Sequence, residues 1–139
     1  MLAPARAGAS AAFLAWLERV DREGKVFLAV VAIHEIEKGI GLLEHKGAVA
    51  KAAGLRLWLA GLITTYDDKI IPADISAAAF AGQLEAKAIA AGHDPGMADA
   101  MMAGIAKAHN LVIVTYNTKH FATFGIDAAT PDEAMRRTD

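Results

Sequence analysis

The chain has 139 residues, 55% of them hydrophobic, a formal net charge of −2 and no cysteine. That size suits one compact domain, and the missing thiols exclude disulfide frameworks, thiolate zinc centres and cysteine nucleophiles. So small a net charge supplies no overall attraction to phosphate, so nucleic-acid binding would have to rest on a local patch or on a metal ion.

The N-terminal stretch MLAPARAGAS has no apolar run long enough for a signal peptide, and no later stretch approaches the ~20 apolar residues of a membrane span. A soluble protein with a cytoplasmic address is the expectation. Ser10 then caps a helix whose apolar positions Phe13, Trp16, Leu17 and Val20 recur at helical spacing, with Gly24 as its stop. Residues 26–32, VFLAVVA, are continuously apolar and rich in β-branched side chains, as in a parallel strand covered on both faces. Ile33, Ile36, Ile40 and Leu43 form a helical stripe, with Glu35 on its flank in the first turn.

A further helix is expected over residues 48–63, packing Leu55, Trp58, Leu59 and Leu62 while Lys51 and Arg56 stay wet. Residues 69–73, KIIPA, read as a short strand that Pro72 confines to an edge or an end. Asp74 or Ser76 caps the next helix, to about Ala90, and residues 92–96, GHDPG, are turn chemistry.

The most informative stretch follows. Residues 95–121 read as a helix with Asp99 in its first turn, a tight turn at Asn110, a strand over residues 111–115 and a polar loop with Asn117. Gly125 precedes a weak last strand, residues 126–129, and Pro131 opens a short, frayed helix.

This order indicates an α/β domain with a parallel sheet flanked by helices. Sites in such sheets gather at the carboxyl ends of the strands. Glu35 follows one strand end, Asn117 follows another, and Asp99 starts the helix that returns from the same edge. Oxygen donors of this kind suit Mg²⁺ or Mn²⁺, ions that serve phosphodiester chemistry. A bland alternative stands beside this reading. A carboxylate in a first helical turn gains roughly 0.3–1 kcal/mol from the helix dipole, so Glu35 and Asp99 could be simple helix starters, and Asn117 a turn residue. Asp99 rises above it because its helix is otherwise almost wholly apolar, and a carboxylate among apolar groups needs a partner.

Other motifs fail. The Gly39-Ile40-Gly41 run lacks a third glycine, Gly47 has no phosphate-binding loop around it, and neither Ser10 nor Ser76 sits in a glycine-flanked elbow. The histidines show no close metal-binding spacing along the chain.

VFLAVVAIHEIEKG (26–39), MADAMMAGIAKAHNLVIVTYN (97–117) and the closing TKHF (118–121) resemble, in order and spacing, motifs of PIN-domain ribonucleases, especially VapC- and FitB-like toxins of bacterial type II toxin–antitoxin pairs. The resemblance implies a single PIN-like domain over residues 1–139. It also implies a Mg²⁺- or Mn²⁺-dependent endoribonuclease with Glu35, Asp99 and Asn117 as metal-binding catalytic residues. Thr115 would support the site from behind. The implied partners are an RNA substrate, a VapB-like antitoxin and a second copy in a homodimer. An apolar helical surface around Trp16, Leu17, Leu55 and Trp58 would suit the last two, although aromatic stripes at helical spacing more often belong to the core.

The resemblance also marks departures. The family's first strand, central in its sheet and ending in an Asp-Thr-Asn run, has no counterpart before Ser10, and Tyr116 and His120 stand where Arg and an acid are common. The expectation is an N-terminally incomplete domain that binds metal weakly and cleaves RNA poorly. A non-catalytic PIN-like module that binds an antitoxin or a partner subunit is the second reading, and an unrelated α/β binding protein, with Glu35 and Asp99 far apart, the third.

Overall fold

The computed structural model describes residues 10–138. Helix α1 (Ala11–Arg22) starts where Ser10 Oγ accepts the Phe13 N–H at 3.0 Å, so a donor the first turn cannot use finds a partner. It ends in a turn where Gly24 takes φ +73°, a conformation that would strain a side chain.

Strand β1 (Leu28–Ala29) is much shorter than the apolar run that contains it, and α2 (Val30–His45) begins at once. The cause lies in its neighbour. Leu28 and Ala29 pair in parallel with Ile70 and Ile71 of β2 (Ile70–Ile71), and β2 stops at Pro72, which has no N–H to extend a ladder. Residues 30–32 therefore place their backbone groups in the helix, where Val31 and Ala32 are buried just as a strand would bury them. A continuous apolar run carries no period that separates these outcomes. The expected first-turn position of Glu35 is corrected accordingly: it lies in the second turn of α2, beyond the strongest part of the helix dipole.

Helix α3 (Val49–Tyr66) returns along α2 and buries Ala52 and Leu59 against Ile40, with Leu43, Leu55 and Leu62 around them. Arg56 is exposed as expected, yet it clamps the pair of helices by reaching Glu37 at 3.0 Å and Glu44. Trp58, expected to pack, is 42% exposed. Helix α3 is apolar nearly all round, so its sequence does not mark the face that meets α2.

Asp74 Oδ1 accepts the Ala77 N–H at 2.9 Å and thereby starts α4 (Ile75–Ala90), which packs along α5 (Met97–Ala108) in the most extensive helix contact of the fold. Small residues make this approach possible: Ala77, Ala81 and Ala88 meet Ala100, Ala103, Gly104 and Ala106 inside the main core. After α5 the chain turns at Asn110, φ +53°, and enters β3 (Ile113–Val114). Helix α6 (Thr118–Ala122), unforeseen, follows, then β4 (Ala128–Ala129), which pairs with β3 in parallel.

The terminal helix α7 (Pro131–Thr138) is secured rather than frayed. Thr130 Oγ1 accepts the Glu133 N–H at 3.2 Å while Glu133 Oε1 lies 3.4 Å from the Thr130 backbone nitrogen, a reciprocal cap.

The α/β class and the parallel strands are as expected. Among the described residues the strands form two separate ladders, β1–β2 and β3–β4, with no hydrogen bonds joining them. Trp16 and Leu17 line an apolar cavity of about 330 Å³ with Val26, Phe27, Leu111 and Val114, whereas Leu55 belongs to the α2–α3 cluster.

Candidate metal-binding site

Asp99 is the third residue of α5, and Gly96 leads into that helix with an extended backbone. Burial of Ala100, Ala103 and Ile105 fixes the helix's rotation, which leaves Asp99 on the margin with its side chain 36% exposed. Its Oδ2 lies 3.4 Å from Nδ1 of His120 on α6. An open cleft of about 330 Å³ runs beside this pair, lined also by His93, Asp94, Gly96, Lys119 and Thr123.

Thr115 follows β3 and is the one buried polar residue among those described. Its N–H donates to the Ala129 carbonyl at 2.9 Å, and its Oγ1 accepts the Asn117 N–H at 3.0 Å. The hydroxyl thus holds the turn that presents Asn117, whose own side chain is exposed at the start of α6. Asp99 and Asn117 accordingly border the same short helix, one through His120 and the other as its first flanking residue.

Glu35 stands on α2, a helix that packs against α5. Its carboxylate, 39% exposed, is engaged by Lys38 at 3.2 Å and His34 at 3.6 Å. Neither Glu35 nor Asn117 lines the cleft beside Asp99. Among the described residues no three acidic or histidine side chains gather closely enough to cage an ion by themselves. Half-exposed carboxylates on adjacent helices fit a different kind of ion, one that keeps most of its water and is held by one or two protein carboxylates together with substrate phosphate oxygens, as Mg²⁺ commonly is.

The sequence marks His120 only as standing where the resembled family commonly has an acid; its contact with Asp99 crosses from α6 to α5, and spacing along the chain carries no trace of it.

The fold is a small α/β domain with short parallel strands flanked by helices. The sequence profile of the PIN domain matches residues 5–126, and the chain belongs to the PIN-domain family. Its structure is similar to the crystal structure of FitAcB from Neisseria gonorrhoeae, with 25% identity, a TM-score of 0.76, and coverage of 94% of this chain and 98% of that one. It is also similar in fold to FitAB bound to an IR36 DNA fragment, at 23% identity and a TM-score of 0.66, covering 94% and 95% of the two chains. The chain is thus a PIN domain. No curated protein matches it significantly.

Proposed function

We propose that this chain is the nuclease of a toxin–antitoxin pair, a Mg²⁺- or Mn²⁺-dependent endoribonuclease that acts in the cytoplasm and is restrained by a small VapB-like antitoxin. The observation that carries the reading is the position of Asp99: a half-exposed carboxylate at the start of α5, beside an open polar cleft, in a chain that a PIN profile covers from residue 5 to 126. Asp99 and Glu35 would hold the ion, with Asn117 contributing through its amide and Thr115 fixing the turn behind it. When bound, the ion supplies an activated water and neutralises charge on the scissile phosphate. Lys119, at the rim of the same cleft, provides a cation for the RNA backbone in a protein whose net charge provides none. No helix among the described residues is long and apolar enough to cross a membrane.

The test is cleavage of a structured RNA panel with Mg²⁺, with Mn²⁺ and with chelator, on the wild type and on Asp99→Asn. Metal-dependent cleavage that the substitution abolishes supports the reading; cleavage indifferent to both overturns it. A second reading draws on the absence of a three-ligand cluster among the described residues: a non-catalytic module that binds an antitoxin or a further subunit. Tight antitoxin binding with no cleavage under any metal would select it.

A further inference from the structure

The apolar cavity of about 330 Å³ is bordered by both strand ladders. Val26 and Phe27, which lead into β1, and Leu111 and Val114 of the β3 segment line it together with Trp16 and Leu17 of α1. The approaches to β1 and β3 thus share one space, although among the described residues no hydrogen bond joins the two ladders. Backbone direction decides what such a space accepts. The N–H groups of Ile113 and Thr115 donate to the Asp127 and Ala129 carbonyls at 3.2 and 2.9 Å. Val114 stands between them and therefore turns its own N–H and C=O to the edge opposite β4. Strand β1 likewise pairs with β2 alone. A purely apolar ligand would leave backbone groups in apolar surroundings without partners, which is unfavourable, whereas an extended peptide supplies both donor and acceptor.

We infer that the space between the ladders is a docking site for one extended apolar segment of a partner polypeptide, about three to five residues long, laid parallel to β1 and β3 so that its backbone joins them. A strand in that position is covered on both faces, so its side chains are apolar throughout. Charge sets its orientation. Lys25 and Arg137 are the only charged residues on the lining. Lys25 precedes β1, and Arg137 is tied to Asp127 directly before β4, so both cations stand at the amino ends of the strands. Each has an exposed carboxylate partner, Glu23 at 3.1 Å and Asp127 at 2.9 Å, and exposed pairs of this kind are too weak to exclude a further acid. An acidic residue just ahead of the apolar run therefore complements this end. The inference does not depend on the nuclease reading.

The experiment titrates the ¹⁵N-labelled full chain with a synthetic acetylated peptide: one aspartate, then four valine and isoleucine residues, then two lysines for solubility. Deuterium exchange of the Val114 amide and thermal melting are followed together. Saturating peptide should slow that exchange about tenfold or more and raise the melting temperature with peptide concentration. The same peptide N-methylated on alternate residues should lose both effects, because it cannot extend a ladder. Lysine in place of the aspartate should weaken binding by roughly two- to fivefold, and by less as salt is added. A lysine flank that binds as well or better overturns the orientation. No binding at millimolar peptide overturns the inference, as does equal binding of the N-methylated form, which would make the space a plain apolar pocket. A Val114 amide already protected in the free chain also overturns it: sedimentation as a dimer would assign the space to a second copy, and sedimentation as a monomer would mean that no edge is open.

Discussion

Gly104 on α5 lies directly against the backbone of Ala77 on α4. A β-carbon added there would run into the Ala77 carbonyl oxygen and stand 2.8 Å from the Ala81 side chain. Alanine gains up to about 1 kcal/mol over glycine in helix propensity, but overpacking against immobile backbone costs about 1–3 kcal/mol or more, so the clash wins. Gly104→Ala should lower the unfolding free energy by about 1–2 kcal/mol in urea titration. An unchanged or raised midpoint would mean that α4 and α5 do not approach this closely.

Asp99→Asn separates the functional role of this carboxylate from a structural one. The side chain is 36% exposed and gains only the dipole of its own helix and an exposed histidine contact, each worth about 1 kcal/mol at most. The variant should melt within a few degrees of the wild type and yet lose all metal-dependent cleavage. A loss above about 2 kcal/mol would return Asp99 to the role of a structural residue.

Tyr66 closes α3, and burial raises its phenol above the ordinary value of 10.0, helped by the charge of Asp21 and by the hydrogen bond its hydroxyl donates to that carboxylate. A raised folded value means that the folded state holds this proton more tightly than the unfolded chain does. Its contribution is complete below about pH 10 and is lost as pH climbs through the higher folded value. Tyr66→Phe should be less stable than the wild type at neutral pH, with a gap that narrows on the alkaline side. A gap that widens with pH would reverse the sign and discard the account.

Arg56 ties Glu37 and Glu44 of α2 to α3 entirely at the surface, and its guanidinium is held above its ordinary value chiefly by the hydrogen bond and charge of Glu44. Exposed charges act through a screened field, which is nearly gone at about 1 M salt. Arg56→Met should melt lower than the wild type at low ionic strength, and the difference should shrink as salt is added. A salt-independent difference would assign the effect to packing of the side-chain stem instead.

Features set by local chemistry were legible in advance. Ser10 and Asp74 cap their helices through side-chain oxygens, and Gly24 and Asn110 adopt the positive φ their positions require. Lengths of strands were not legible, because β1 ends where Pro72 ends its partner, and nothing within residues 26–32 records that. Helix α3 defeats a face assignment through its uniform apolarity, which is how Trp58 comes to lie outside. The parallel α/β class, the place of Asp99 in the first turn of α5 and the turn at Asn117 followed from the order of elements. The pairing of Asp99 with His120 depends on how α6 folds back over α5, information that resides in packing and not in spacing.

The small α2–α3 core holds Ile40, Ala52 and Leu59, while Val31, at the start of the same α2, belongs to the main core with α4 and α5. Regions whose apolar contacts are their own open at their own free energies, in a hierarchy that amide hydrogen exchange resolves. Amides of α3 should therefore exchange ahead of those of α5, and Glu35 lies on α2 between Val31 of the main core and Ile40 of the small one. Under mild denaturant the two candidate carboxylates should therefore part company: Asp99 is expected to stay with the last structure to open, and Glu35 to be released earlier.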